Sequence, residues 1–475
     1  MMSHARYSVV FVLLLFIGSC FPDQSLQRAP THKGPLFQEG EVIIYLQALP
    51  QETNRLRFVI NGVSALASDG FEIPLSLFLS DIKGADHTGR QRLLASAVLP
   101  PGSYTGISVQ VREAFVQTDE GEMALLVPEE PLRVAQAFDI NRGQASALFL
   151  SLNPSGILTA GIRFTPVFSL VPAGRPLINL TGLVTIPASN ILAVFNKKTM
   201  QVVNAIATDP GPTGLALDQF RSRAYVAAAR DDSVAVIDVF NLQIVNRLKL
   251  NFKDHPVWLE LAPDGRTLVS VNQGSNTVSI IDARSLIEID RVKVGEKPSS
   301  AVMDPTGVKV YVFNTGSKTI SVVDLTQRRL AVTIAVEASP LRGAFNREGD
   351  RLYVISGDWP YITVIDRLRF AIAQKIFIGT GAVSIRVDDQ TGLIYIGKSI
   401  GGEVSVIDPF SAQLVDNFRV GGRAVFMTID GQERTLLTAF SDQSSLQKIN
   451  LISKKPVAEL ETGEGAYAVV VMGER

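Results

Sequence analysis

The chain has 475 residues, a formal net charge of −1, 19% charged residues and 46% hydrophobic residues. A chain this long holds more than one domain, and its charge balance excludes a nucleic-acid binder held by bulk charge. The single cysteine, Cys20, rules out an internal disulfide, a cysteine zinc site and C-x-x-C-H haem attachment, and four histidines (His4, His32, His87, His255) are too few for a multi-histidine site.

Residues 1–19 read as a secretion leader. His4 and Arg6 give a basic start, and residues 9–17 (VVFVLLLFI) form an apolar run too short for a permanent span. Ile17-Gly18-Ser19-Cys20 then sets small residues before a thiol that can accept a lipid. This stretch resembles the bacterial lipobox, which implies that Cys20 becomes the lipidated first residue of the mature chain. An ordinary signal peptide with an incidental cysteine is the other reading. Phe21, in place of Asp, implies the outer membrane under enteric-type sorting, facing the periplasm or the cell surface. Acyl chains anchor at about 0.8 kcal/mol per buried CH₂, and no later segment has the apolar length to span. Residues 20–40 read as the lipidated cysteine and a flexible tether.

Residues 41–178 show short β-runs between turn signals, as in an antiparallel sandwich. Strands are expected at 41–46, 56–60, 73–79, 92–99, 102–111, 123–127, 132–138, 145–152 and 161–170, with Tyr104, Ile107, Val109 and Val111 buried. Residues 94–105 (LASAVLPPGSYT) look like a segment of bacterial surface sandwiches, and 42–170 resembles a family of lipoprotein domains of unknown function. That resemblance brings no catalytic residues. Asp81, Asp86 and His87 share a loop that has cation ligands; a solvated loop with Lys83 and Arg90 is the preferred reading, and no metal is expected.

From residue 180 to 475 the chain repeats. Val236-Ile237-Asp238 returns as Ile280-Ile281-Asp282, Val322-Val323-Asp324, Val364-Ile365-Asp366 and Val406-Ile407-Asp408, with weaker copies ending at Asn196 and Asn450. The seven copies end 42, 44, 42, 42, 42 and 42 residues apart. In one repeat, strands are expected at 297–303, 308–314, 319–324 and 329–336, and four short strands per repeat make a propeller blade. Inner strands start at Pro212, Pro256, Pro298, Pro340, Ala382, Ala424 and Ala466. The segment 183–207 has three strands and 466–471 only one, so the two ends share a blade and close a seven-bladed ring, hiding two sheet edges. Ser275-Asn276-Thr277-Val278-Ser279-Ile280-Ile281-Asp282 and Tyr311-Val312-Phe313-Asn314 resemble the YVTN-type β-propeller repeat, which implies a secreted or cell-surface propeller. The repeated Asp and Asn read as caps of the turn that follows.

Functional residues are sought where the repeat breaks. Two residues after each inner-strand start stand Gly214, Ser300, Ser384 and Ala468, but also Trp258, Arg342 and Phe426. The three large residues either shape a central pocket or fill gaps between blades. With His255, Trp359, Tyr361, Lys398 and Arg423 they form the candidate ligand or partner face, since aromatics beside cations stack on sugars, bases and peptide rings. Similar propellers include lactonases, for which Asp254, His255, Arg342 and Arg423 would be the cluster. Gly-x-Ser-x-Gly, His-Glu-x-x-His and a phosphate loop are absent, and two Trp are too few for a quinone-cofactor propeller. The expectation is therefore a non-enzymatic, cofactor-free envelope lipoprotein whose propeller binds a protein or glycan, with hydrolytic and polyanion-binding propellers as alternatives.

Overall fold

The computed structural model describes residues 36, 38–463 and 465–473; the leader and Cys20 lie outside them. The chain is all-β, a two-sheet sandwich followed by a seven-bladed propeller. Among the described residues no helix is long and apolar enough to cross a membrane.

One sandwich sheet runs Val167–Pro172, Ala145–Asn153, Gly40–Leu46, Arg92–Leu99, Ser76–Leu77 in spatial order. The other is built on Leu56–Ala67 paired with Gly102–Thr118, a 17-residue strand that continues well past the expected end. Tyr104, Ile107, Val109 and Val111 are all buried in it. The expected strands at 73–79 and 161–170 are each broken in two, around Leu75 and around Thr165-Pro166. Pro166 has no N–H to give a ladder.

All seven residues of Gly40–Leu46 are buried, because both its faces are covered. Val42, Ile44 and Leu46 enter the sandwich core, while Ile43 and Tyr45 pack against the propeller. The two-residue side-chain period divides the run between two cores. This strand runs parallel to Ala145–Asn153, a departure from the antiparallel expectation. Parallel pairing favours strands buried on both faces, and Ala147 and Phe149 face the propeller as Ile43 and Tyr45 do.

Seven four-stranded antiparallel sheets make the propeller. Blade 1 is Thr181–Ile186, Ile191–Asn196 and Gln201–Ala207, completed on its inner side by Val469–Val471. Blades 2 to 7 follow at 212–249, 256–293, 298–335, 342–377, 382–419 and 424–461. The strands of blade 4 fall within a residue of the repeat-based positions. Two inner strands begin later than expected, at Arg342 and Val469. Leu341 and Tyr467 still donate ladder-like bonds, to Ile355 and Thr185.

Every copy of the repeated Asp or Asn accepts backbone N–H bonds from the turn after it. Asp282 Oδ1 takes those of Arg284 and Ser285 at 3.0 and 2.7 Å, and Asn450 Oδ1 those of Ile452 and Ser453 at 2.9 and 2.8 Å. Four residues on, the chain turns left-handed in each blade: Met200, Leu242, Leu286, Arg328, Phe370, Ala412 and Lys454 have φ of 52 to 58°. A non-glycine residue tolerates this strained region only where its surroundings fix it.

The seam of the ring carries a buried charge cluster. Lys197 Nζ of blade 1 meets Asp430 Oδ2 of blade 7 at 2.7 Å, each side chain 2% exposed. The same ammonium donates to the Met472 carbonyl at 2.7 Å, beside the closing strand. Lys448 Nζ donates to the Lys197 carbonyl at 2.8 Å and pairs with Glu433. The sandwich fastens both sides of this seam from outside. Gln91 exchanges two hydrogen bonds with Val202 of blade 1, and Arg92 Nε pairs with Glu461 of blade 7 at 2.6 Å.

Candidate functional site

Inner strands of neighbouring blades lie against one another, so their side chains crowd the ring axis. Most of these positions are small for that reason. A Cβ on Gly214 would lie 2.6 Å from the Trp258 Cα. Trp258 of blade 3 and Phe426 of blade 7 nevertheless meet, with ring centroids 5.9 Å apart. Residues three blades apart can touch only across the axis. The Arg342 guanidinium of blade 5 lies 4.6 Å from the Trp258 ring centre and 5.4 Å from that of Phe426. Trp258, Arg342 and Phe426 thus fill the channel, leaving a cavity of about 20 Å³, room for one water. They do not frame a deep pocket.

The charges in this plug are mostly paired through dipoles and rings. The Trp258 indole N–H donates to Glu260 Oε1 at 2.7 Å. Arg386 Nε donates to the Met427 carbonyl at 2.7 Å, with its guanidinium 5.2 Å from the Phe426 ring. Burial pushes the Arg342 guanidinium below its ordinary range and Arg386 adds to this, while the Tyr467 hydroxyl and its hydrogen bond work the other way. Glu260, Arg386 and Tyr467 were not among the sequence candidates. Glu260 and Arg386 both stand four residues after an inner-strand start, so the signal lies in the second axial layer, two residues beyond Trp258, Arg342 and Phe426 in the repeat.

The remaining candidates lie elsewhere and do different things. His255, at φ 47°, gives its backbone N–H to Asp232 and sets its ring Nδ1 2.8 Å from the Ala229 carbonyl. Lys398 is buried where Asn272 and Asn314 stand in other blades, and its ammonium holds the carbonyls of Ile378, Gly379 and Thr380 at 2.5, 3.2 and 3.4 Å. Burial lowers its pKa, while Glu403 acts in the opposite direction. Arg423 is exposed, its backbone N–H held by Asp442. Asp254 is buried and takes Arg291 Nη1 at 2.7 Å, and that guanidinium also pairs with Glu288. The Asp254, His255, Arg342 and Arg423 set is therefore spread over separate structural contacts.

Trp359, in the turn between strands Arg351–Ile355 and Tyr361–Asp366 of blade 5, and Tyr361, at the start of the latter, form a second aromatic group. Their rings are 5.6 Å apart, Tyr361 meets Phe377 edge-on at 5.5 Å, and Lys375 lies 5.9 Å from the Trp359 ring. Phe377, which the sequence reading passed over, is 65% exposed. The Trp359 indole N–H has no hydrogen-bond partner among the described residues. Asp81, Asp86 and His87 do not share a loop: Asp81 stands on the short strand Asp81–Lys83, which pairs with Leu56–Ala67, and is held by Arg57 with both contacts at 2.9 Å, while Asp86 and His87 belong to the one-turn helix Gly84–His87, where His87 is buried. Among the described residues no three His, Cys, Asp or Glu side chains gather as a metal site.

The sheets define a sandwich-plus-propeller protein, and solved structures share the fold of part of the chain. The chain is similar to the hydrazine synthase of Kuenenia stuttgartiensis (16% identity, 60% of this chain, 92% of that one, TM-score 0.50). It is similar also to a functionally unknown protein of Desulfotomaculum acetoxidans (15% identity, 61% and 99%, TM-score 0.55). A third is the dihydro-heme d1 dehydrogenase NirN in complex with DHE (15% identity, 63% and 77%, TM-score 0.50). At such identities the likeness concerns the fold alone. No family model and no curated protein matches the chain.

Proposed function

We propose that the chain is a lipid-anchored, non-catalytic envelope protein, held at the outer membrane through Cys20, whose YVTN-type propeller is a binding platform for a protein partner. The observation that carries this reading is the rim of blade 5. Trp359, Tyr361 and Phe377 form a contiguous aromatic group whose Phe377 ring is exposed, flanked by the Lys375–Glu337 ion pair at 2.5 Å. Exposed aromatic anchors with a charged rim are what binding hot spots are made of. The filled axis and the engaged Asp254 carboxylate speak for recognition at the surface over chemistry in a central pocket. The net charge of −1 offers a nucleic acid no attraction by bulk charge.

A photo-crosslinking residue at Phe377, introduced in cells carrying the full chain, tests the platform. The expected result is a discrete adduct that is lost with Trp359→Ala and absent with the crosslinker at Ile289, an exposed outer-strand position of blade 3. Equal adducts from both positions, or none, would overturn the assignment of this face. Fatty-acid labelling tests the anchor separately: label should enter the parent and not Cys20→Ala.

A further inference from the structure

One cleft lies away from the propeller axis. It measures about 660 Å³ and sits where the sandwich meets the edges of blades 1 and 2. Clefts of roughly 300–1,000 Å³ between domains are the usual setting for small-ligand sites. Its walls come from the 142–145 and 173–175 turns of the sandwich, from strand Gln201–Ala207 of blade 1 and from strand Gln243–Lys249 of blade 2.

The lining is one-sided in charge. Arg142, Arg175 and Arg247 face the cleft and no carboxylate does. Arg247 is held by Asp209, its Nε 3.0 and 2.9 Å from the two carboxylate oxygens. Arg142 and Arg175 are exposed and have no carboxylate partner among the described residues; Arg175 lies 5.8 Å from the Phe240 ring. Two guanidinium forks without carboxylate partners, on turns at the same end of two paired sandwich strands, suit carboxylate or sulfate oxygens. Beside them stand Gln144 and Gln243, whose side-chain amides make no hydrogen bond among the described residues. An amide offers a donor and an acceptor. A bare inorganic anion uses donors only, whereas a hydroxyl needs both.

We propose that this cleft binds an acidic oligosaccharide, its anionic groups on Arg142 and Arg175 and its hydroxyls on Gln144 and Gln243. The site is independent of the blade 5 rim, so either assignment can fail alone. The test is calorimetric titration of the full-length protein with tetragalacturonate, a heparin-derived tetrasaccharide, neutral maltotetraose and inorganic phosphate. Saturable binding of an acidic tetrasaccharide is expected, with carboxylate and sulfate sources separated by the first two probes. The doubly substituted Arg142→Gln/Arg175→Gln protein should bind roughly tenfold or more weakly, since two charge-assisted contacts are lost. Arg369→Gln, an exposed arginine elsewhere, should leave binding unchanged. Thermal melts should coincide for all three proteins. Absence of acidic-tetrasaccharide binding, binding that the double substitution leaves intact, or phosphate binding as tightly as the saccharides would each overturn the proposal.

Discussion

The seam cluster makes a quantitative demand. Lys197→Met leaves the Asp430 carboxylate buried without its ammonium, though Gln432 and Glu433 backbone N–H groups still reach Oδ1 at 3.0 and 3.2 Å. Asp430→Asn leaves the Lys197 ammonium with the Met472 carbonyl as its remaining strong acceptor. Removing one member of a buried pair costs about 3–5 kcal/mol. The backbone support of Asp430 puts Lys197→Met near the low end, about 3 kcal/mol, and Asp430→Asn near the high end. The double variant removes both charges together and should fall short of the summed losses by about 2 kcal/mol. At roughly 2–4 °C per kcal/mol, either single change lowers the melting temperature by roughly 10 °C. Both tryptophans, Trp258 and Trp359, belong to the propeller, so fluorescence-monitored unfolding reads this domain. Single variants melting within a degree or two of the parent, or strictly additive effects, would show that the pair does not hold the seam.

Deleting residues 469–473 should be more severe. Val469, Val470, Val471 and Met472 are all buried, and their loss removes roughly 6–12 kcal/mol of burial, comparable to a whole domain's stability; an intact propeller by limited proteolysis would refute this. Arg342→Met should destabilise the axis by about 2 kcal/mol through loss of the two cation–π contacts, read as a shift in the denaturant midpoint, whereas an unchanged midpoint would mean the plug is held by Trp258 and Phe426 alone. The pH dependence of Asp388 follows from its surroundings. Burial would raise this carboxyl's pKa, but the bidentate Arg434 contact at 2.9 Å, with Thr391 and the Gln390 amide, outweighs it and holds the pKa low. Its stabilising effect is complete above the ordinary carboxylate pKa of about 4 and is lost as pH falls through the depressed folded value. Asp388→Asn should therefore cost about 2–3 kcal/mol at neutral pH and progressively less below pH of about 4; a penalty equal at both pH values would contradict this account.

Much of the propeller was legible because its signals are local. The 42-residue spacing fixes the blades, and the terminal Asp or Asn of each copy performs a hydrogen bond within three residues of itself. Ring closure was legible by counting strands at the two ends. The site was legible only in part. Trp258, Arg342 and Phe426 were marked by size at a position otherwise small, but whether they frame a pocket or fill it depends on how three distant blades aim their side chains. Lys398 had the look of a ligand-binding cation until burial gave it three backbone carbonyls. The sandwich strands were found, yet their ends were misjudged, since edge pairing and bulges decide where a ladder stops.

By itself, the sequence determined the all-β class, the seven repeats and the sharing of a blade between the chain's ends, because each rests on periodicity and turn chemistry within a few residues. Tertiary structure alone decided what lies between elements far apart in the chain. The run Val42-Ile43-Ile44-Tyr45-Leu46 divides between two cores because the sandwich packs on blade 1. Lys197 meets Asp430, 233 positions further along the chain, only when the ring closes. The arginine-lined cleft exists only where the sandwich turns come against blades 1 and 2. Such contacts leave no local pattern, since the interactions that make them depend on distance in space and not on order along the chain.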